Sequence, residues 1–206
     1  KIHNLKYIAM KTPQLKKEDF SSEEMEKCVA SPRYFYNKYW KIYDKNGNEV
    51  WTKQFGTSGP DTVGGVQVDS SGVYVSGQMG FDVFLRKYDT SGNQDWERTF
   101  GTSGNENNRA GMIIDATSIY VAGATDGAFS STTNQGGIDI FLSKYDKNGN
   151  ELWTKQFGTF EYEEPLGIAI ATSGVYIAGV TEGTLPSQTA SGDGDAFLRK
   201  YDTNGN

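Results

Sequence analysis

The stretch 139–159 reads DIFLSKYDKNGNELWTKQFGT, and close copies of it return along the chain at regular distances. Residues 82–102 read DVFLRKYDTSGNQDWERTFGT, residues 38–57 end in IYDKNGNEVWTKQFGT, and residues 195–206 restart as DAFLRKYDTNGN. A chain that repeats a unit solves the same packing problem several times, each copy burying a face against its neighbours. That requirement governs every other reading below.

Within 139–159 the first half carries Ile140, Phe141, Leu142 and Tyr145, and the second half places Trp153 and Phe157 on either side of Lys155. β-Branched and aromatic residues in short runs read as strands. Between them lies Asp146-Lys147-Asn148-Gly149-Asn150, in which Asp bonds its own backbone and Gly accepts positive φ, the chemistry of a hairpin loop. A second block follows each hairpin: GVQVDSSGVYVSG from Gly65, GMIIDATSIYVAG from Gly111 and GIAIATSGVYIAG from Gly167. Each holds two apolar runs about a small polar turn, so the unit is four short strands. The hairpin Asp moves from 44 to 89, 146 and 202, a period of about 45 to 57 residues, which suits four-stranded blades better than helix-bearing solenoids.

These blocks, with DxFLxKYD and FGT, resemble the bacterial and archaeal β-propeller family of SBBP repeats over about 36–206. The usual Asn between the Gly and the Val-Tyr-Val strand is absent at Gly72-Val73 and Gly174-Val175, which shortens the turn. The resemblance implies a propeller, an extracellular or cell-surface setting in a large protein, and no settled biochemical activity. The expected fold is therefore all-β: an incomplete, open arc of four-stranded antiparallel blades with a short N-terminal helix. Blades are expected near 64–102 and 111–159, with partial units at 38–57 and 167–206 and a lead-in over 1–37. In that lead-in, Ser21-Ser22-Glu23-Glu24 begins a helix like a capping box, Met25, Cys28 and Val29 share a helical face, and Ser31-Pro32 ends it. The aromatic run that follows is faintly similar to the region ahead of the ATPase in phage large terminase subunits. No phosphate loop follows, so no ATPase activity transfers.

Composition narrows the function. The net charge is −6 and the lysines are scattered, which argues against nucleic acid or an anionic membrane as partner. Cys28 is the single cysteine and His3 the single histidine, leaving no intrachain disulfide, no Cys/His zinc cage and no Ser-His-Asp or Cys-His relay. No cofactor and no membrane insertion are expected. The chain begins without Met and ends in a hairpin loop, and reads as an excerpt whose missing repeats are its first partners.

Three features invite chemistry. The Asp-x-x-Gly-Asn loops suggest calcium, but Gly stands fourth instead of sixth and no acid stands twelfth, so turn chemistry explains them. The recurring Trp51, Trp96 and Trp153 suggest sugar stacking, yet recurrence at one repeat position points to packing between blades. The segments between FGT and the next Gly carry Asp61, Glu106, Glu161, Glu163 and Glu164. Asp61, Glu106 and Glu163 are expected at one channel mouth, binding a cation or basic ligand, with a solvated acidic rim as the plainer reading. The expected function is a non-enzymatic binding or structural module for a protein or carbohydrate ligand. The alternative is a carboxylate-only glycosidase or lyase, which requires two carboxyls facing one pocket. The connections 125–137 and 181–194 are enlarged at the same point of successive repeats and mark a binding face.

Overall fold

The computed structural model describes residues 7–8, 39–43 and 46–206, with side chains from residue 46 onward. The chain folds into four antiparallel sheets, and no helix occurs among the described residues. The first sheet contains β1 (Tyr7–Ile8), β2 (Tyr39–Tyr43) and β3 (Glu49–Gln54) in that order. The second is a meander of β4 (Asp61–Asp69), β5 (Gly72–Met79), β6 (Asp82–Tyr88) and β7 (Gln94–Phe100). The third repeats it with β8 (Glu106–Ile114), β9 (Ser118–Thr125), β10 (Asp139–Asp146) and β11 (Glu151–Phe157). The fourth has β12 (Glu163–Ala171), β13 (Gly174–Thr181) and β14 (Asp195–Tyr201).

The four-strand units thus stand where the repeat places them, with two differences. Strand β1 pairs antiparallel with β2, matching Tyr7 to Tyr43 and Ile8 to Ile42, and so adds a third strand to what reads as a bare hairpin. The opening strand of each later sheet also starts before its conserved-looking Gly, at Asp61, Glu106 and Glu163, because the strand continues through a bulge at Val63/Gly65, Asn107/Gly111 and Pro165/Gly167. The expected helix over 22–30, Cys28 and His3 lie outside the described residues.

Three hydrophobic cores separate the four sheets, and the same side chains build each one. Phe55 from the end of the first unit meets Phe84 edge-on at 5.4 Å and lies 6.3 Å from Tyr88 in the second sheet. Phe100 meets Phe141 at 6.1 Å and Tyr145 at 5.1 Å in the third, and Phe157 meets Phe197 at 5.8 Å and Tyr201 at 6.2 Å in the fourth. The Phe of FGT is therefore the plug that each sheet inserts between the Phe and Tyr of the next DxFLxKYD. Around these plugs lie fully buried Val83, Leu85, Ile119, Ile140, Leu142 and Ile177.

Each outer-strand Trp leans onto the next repeat's hairpin loop. The Trp51 indole N–H donates to the Thr90 carbonyl at 3.3 Å, Trp96 to Lys147 at 3.2 Å and Trp153 to Thr203 at 3.4 Å. The rings rest over Gly92, Gly149 and Gly205, where an added Cβ would stand 2.8, 2.9 and 3.2 Å from them. These glycines also hold φ of 86, 78 and 86, so the turn and the docked ring both require Gly. The loops are held by their own Asp: Asp146 Oδ1 accepts from the Asn148 and Asn150 amides at 2.8 and 2.9 Å, and Oδ2 from the Asn150 side chain at 2.8 Å.

Candidate functional site

The acids singled out between FGT and the next strand divide by burial: Glu161 is exposed, Asp61 and Glu164 are half-buried, and Glu106 and Glu163 are buried. Glu106 and Glu163 are 1% and 0% exposed, and each is the first residue of a strand. Glu106 Oε2 accepts from the Thr102 amide at 2.9 Å, while Oε1 accepts from the Thr102 and Thr125 hydroxyls, both at 2.6 Å. Glu163 repeats this with the Thr159 amide at 2.8 Å, the Thr159 hydroxyl at 2.6 Å and the Thr181 hydroxyl at 2.7 Å. Asp61 forms a shorter version, accepting from the Thr57 amide at 2.7 Å and its hydroxyl at 2.9 Å. Its cross-strand neighbour is Met79, whereas Glu106 and Glu163 face Thr125 and Thr181. The FGT threonine and the acid four residues on thus close the crossover between sheets. The Thr-x-x-x-Asp/Glu spacing was visible in sequence, but only burial shows that the carboxylate is consumed by it.

The structure also brings together carboxylates that sequence reasoning did not pair. An added Cβ on Gly158 would stand 2.1 Å from Asp139 Oδ1 and 2.5 Å from Glu163 Oε2, so both oxygens converge on one point. On Gly101 the corresponding distances are 2.4 Å to Asp82 Oδ1 and 2.2 Å to Glu106 Oε2. The glycine of FGT is therefore the residue that lets two acids approach, one opening the third strand of a sheet and one opening the first strand of the next. Asp139 is fully buried; its Oδ2 accepts from the Gln135 amide at 2.8 Å and the Gln156 side chain at 2.9 Å, while Oδ1 has no hydrogen-bond partner. Burial raises the Asp139 carboxyl above its ordinary value, and the Glu163 charge adds to the rise against the two donors. Among the described residues no three His, Cys, Asp or Glu side chains gather as a metal would require.

The accessible candidate lies elsewhere. A groove of about 630 Å³ separates the 131–135 segment of the enlarged connection from β11, lined by Ser131, Thr133, Gln135, Glu151, Leu152 and Lys155 among others. The connection is anchored on both sides of the groove-lining stretch, at Phe129 and Thr132 and again where the Gln135 amide meets Asp139. The Phe129 ring packs 5.2 Å from Phe141, its amide donates to Gln156 Oε1 at 3.2 Å, and the Thr132 hydroxyl donates to the same oxygen at 2.6 Å. Glu151 is the sole carboxylate lining this groove, and Lys155 the sole cation. Its chemistry is that of hydroxyls and amides with balanced charge.

Sheet, plug, Trp socket and acid latch define the class: an all-β repeat protein whose antiparallel sheets are joined by one recurring set of contacts. No family model matches the chain. A stretch of 81 residues, 37% of the chain, is 36% identical to the regulatory protein FlaEY of Caulobacter vibrioides and spans 8% of that protein's length.

Proposed function

We propose that the chain is a non-enzymatic repeat module, a segment of β-propeller acting as a binding or structural scaffold in a larger exported or cell-surface protein. One observation carries this reading: the residues that recur at a fixed repeat position are used up in joining one sheet to the next. Trp51, Trp96 and Trp153 are spent on hairpin loops, Phe55, Phe100 and Phe157 on neighbouring rings, and Glu106 and Glu163 on threonines. The setting follows from the resemblance to SBBP repeats, and the four-strand meanders joined in sequence support a propeller. The short stretch shared with FlaEY is consistent with a module reused inside long chains.

A carboxylate enzyme needs two carboxyls opening on one pocket. The paired acids at Gly101 and Gly158 include buried Glu106, Asp139 and Glu163, and the open groove offers one carboxylate. Binding is accordingly assigned to the face bearing the enlarged connections, with a neutral hydroxyl-rich or peptide ligand as its match. Screening against glycoside, ester and uronate substrates should find no turnover; turnover abolished by one substitution at Glu151 would overturn the reading. Extending the chain with further copies of the repeat should give a closed ring in electron micrographs, and a filament or unrelated shape would refute the propeller.

A further inference from the structure

Residues 43–49 and 145–151 carry the same letters, YDKNGNE, and the closing copy repeats the pair at Asn204-Gly205. Asn followed by Gly is prone to attack by its own backbone, because glycine offers the preceding side chain an amide nitrogen with no Cβ in the way. The turns share a shape as well as a sequence: φ is 78 at Gly47, 78 at Gly149 and 86 at Gly205. Whatever separates the two identical segments in reactivity must therefore come from what packs on them.

Their surroundings differ. Gly149 is buried beneath the Trp96 indole, and its amide donates to the Asp146 carbonyl at 3.1 Å. Trp96 donates to the Lys147 carbonyl at 3.2 Å, while Arg98 donates from Nη2 to the Asn148 carbonyl at 3.2 Å and from Nε to the Gly149 carbonyl at 2.8 Å. The peptide groups on both sides of Asn148 are thus held from the preceding sheet. At the closing copy Gly205 is buried beneath Trp153, and Trp153 and Lys144 donate to the Thr203 carbonyl at 3.4 and 2.8 Å. Lys155 stands there at the repeat position of Arg98, and both bonds end one residue short of the Asn. Gly47 is exposed.

We propose that Asn46 is a site of spontaneous modification, deamidating through a cyclic imide, and that the Trp socket shields the same sequence at Asn148. The Gly47 amide nitrogen attacks Asn46 Cγ and its proton passes to the side-chain amide; the Cγ–Nδ2 bond breaks and ammonia leaves. Water then opens the imide ring at either carbonyl, giving aspartate or its β-linked isomer at position 46. Each event adds a negative charge to a chain already at −6, and the β-linked product lengthens the main chain of the turn. Ring closure requires the Asn ψ to rotate and the glycine amide to leave its place in the turn. That local opening is opposed at Asn148 by the indole and both Arg98 bonds, and the exposed turn at Gly47 permits it.

The test incubates the full chain at mildly alkaline pH and follows each Asn-Gly site by peptide mass spectrometry, with ion exchange reporting the added charge. In the folded chain Asn46 should convert at nearly the rate of a free peptide of residues 43–49, Asn148 about tenfold more slowly or less, and Asn204 between them. In urea that unfolds the chain, Asn46 and Asn148 should convert alike. R98A and W96F should each speed Asn148 while leaving Asn46 and Asn204 unchanged, and W153F should speed Asn204 alone. Acceleration at all three sites would mark a variant that has unfolded, and the wild-type ratio of Asn46 to Asn148 then decides by itself. Asn148 keeping pace with Asn46 in the folded wild type would overturn the proposal. So would an Asn46 far slower than its peptide, or an Asn148 that stays slow in both folded variants.

Discussion

Asp139 stands in the junction between the third and fourth sheets with one oxygen satisfied and the other bare beside Glu163. Its raised pKa means that folding favours the protonated carboxyl, which could then donate from Oδ1 to Glu163. The sign follows from linkage: with the folded value above the unfolded one, the contribution is complete below the ordinary aspartate range and is lost as pH rises through the folded value. Asp139→Asn supplies a permanent donor at that position and keeps an acceptor for Gln135 and Gln156. It should therefore exceed wild type in urea stability at neutral pH, and the advantage should vanish below the ordinary carboxylate range; equal stability at both extremes would refute the shared proton. At the neighbouring latch, Glu106→Ala strands the fully buried Thr125 hydroxyl and should cost about 3 kcal/mol. Asp61→Ala should cost clearly less, because Asp61 is only partly buried and lacks a third donor. Paired denaturation curves check the order.

At the level of strands and turns, the hairpin loop serves as a socket as well as a reversal. Trp96→Phe keeps most of the ring contact and loses the bond to the Lys147 carbonyl, which should cost about 1 kcal/mol. Gly149→Ala should cost more, about 2 kcal/mol, because it combines a left-handed φ of 78 with a Cβ 2.9 Å from the indole. Gly80 has a φ of 66 and nothing within 4 Å of an added Cβ, so Gly80→Ala should carry only the backbone cost. Equal losses at the two glycines in thermal melts would mean that the ring does not press on the loop. These hairpins were legible because Asp, Asn and Gly act within five residues. The start of β4, β8 and β12 was not, since a bulge moves the strand past the Gly that looks like its first residue.

Across the molecule, one face tells what a further unit would cover. Leu85 and Leu142 are 0% exposed because the following sheet packs on them, while Leu198 at the same repeat position is 72% exposed. Gly167 has nothing within 4 Å of an added Cβ, whereas the same position at Gly65 lies 2.7 Å from the Met112 amide of the next sheet. Hydrogen exchange should accordingly protect β9 and β10 most and β14 least. A chain carrying one further repeat should bring β14 to the protection of β10, with self-association through the uncovered face gone. Unchanged exchange in β14 would show that the added repeat does not dock there.

What the sequence by itself determined was everything written in short range and then repeated: the strand-forming runs, the Asp-x-x-Gly-Asn turns, the four-strand unit and the packing role of a Trp that never leaves its position. Those features depend on neighbours within a few residues, and repetition averages away the ambiguity of any one copy. Tertiary structure alone decided the fate of the acids. Whether Glu106 or Glu163 meets water depends on where the threonine of the following strand arrives, about twenty residues away along the chain but adjacent across the ladder. The same holds for Asp139, whose bare oxygen exists because a glycine of one sheet admits the acid of the next. A carboxylate's letter is the same on a rim and in a junction, and only the approach of a second sheet separates the two.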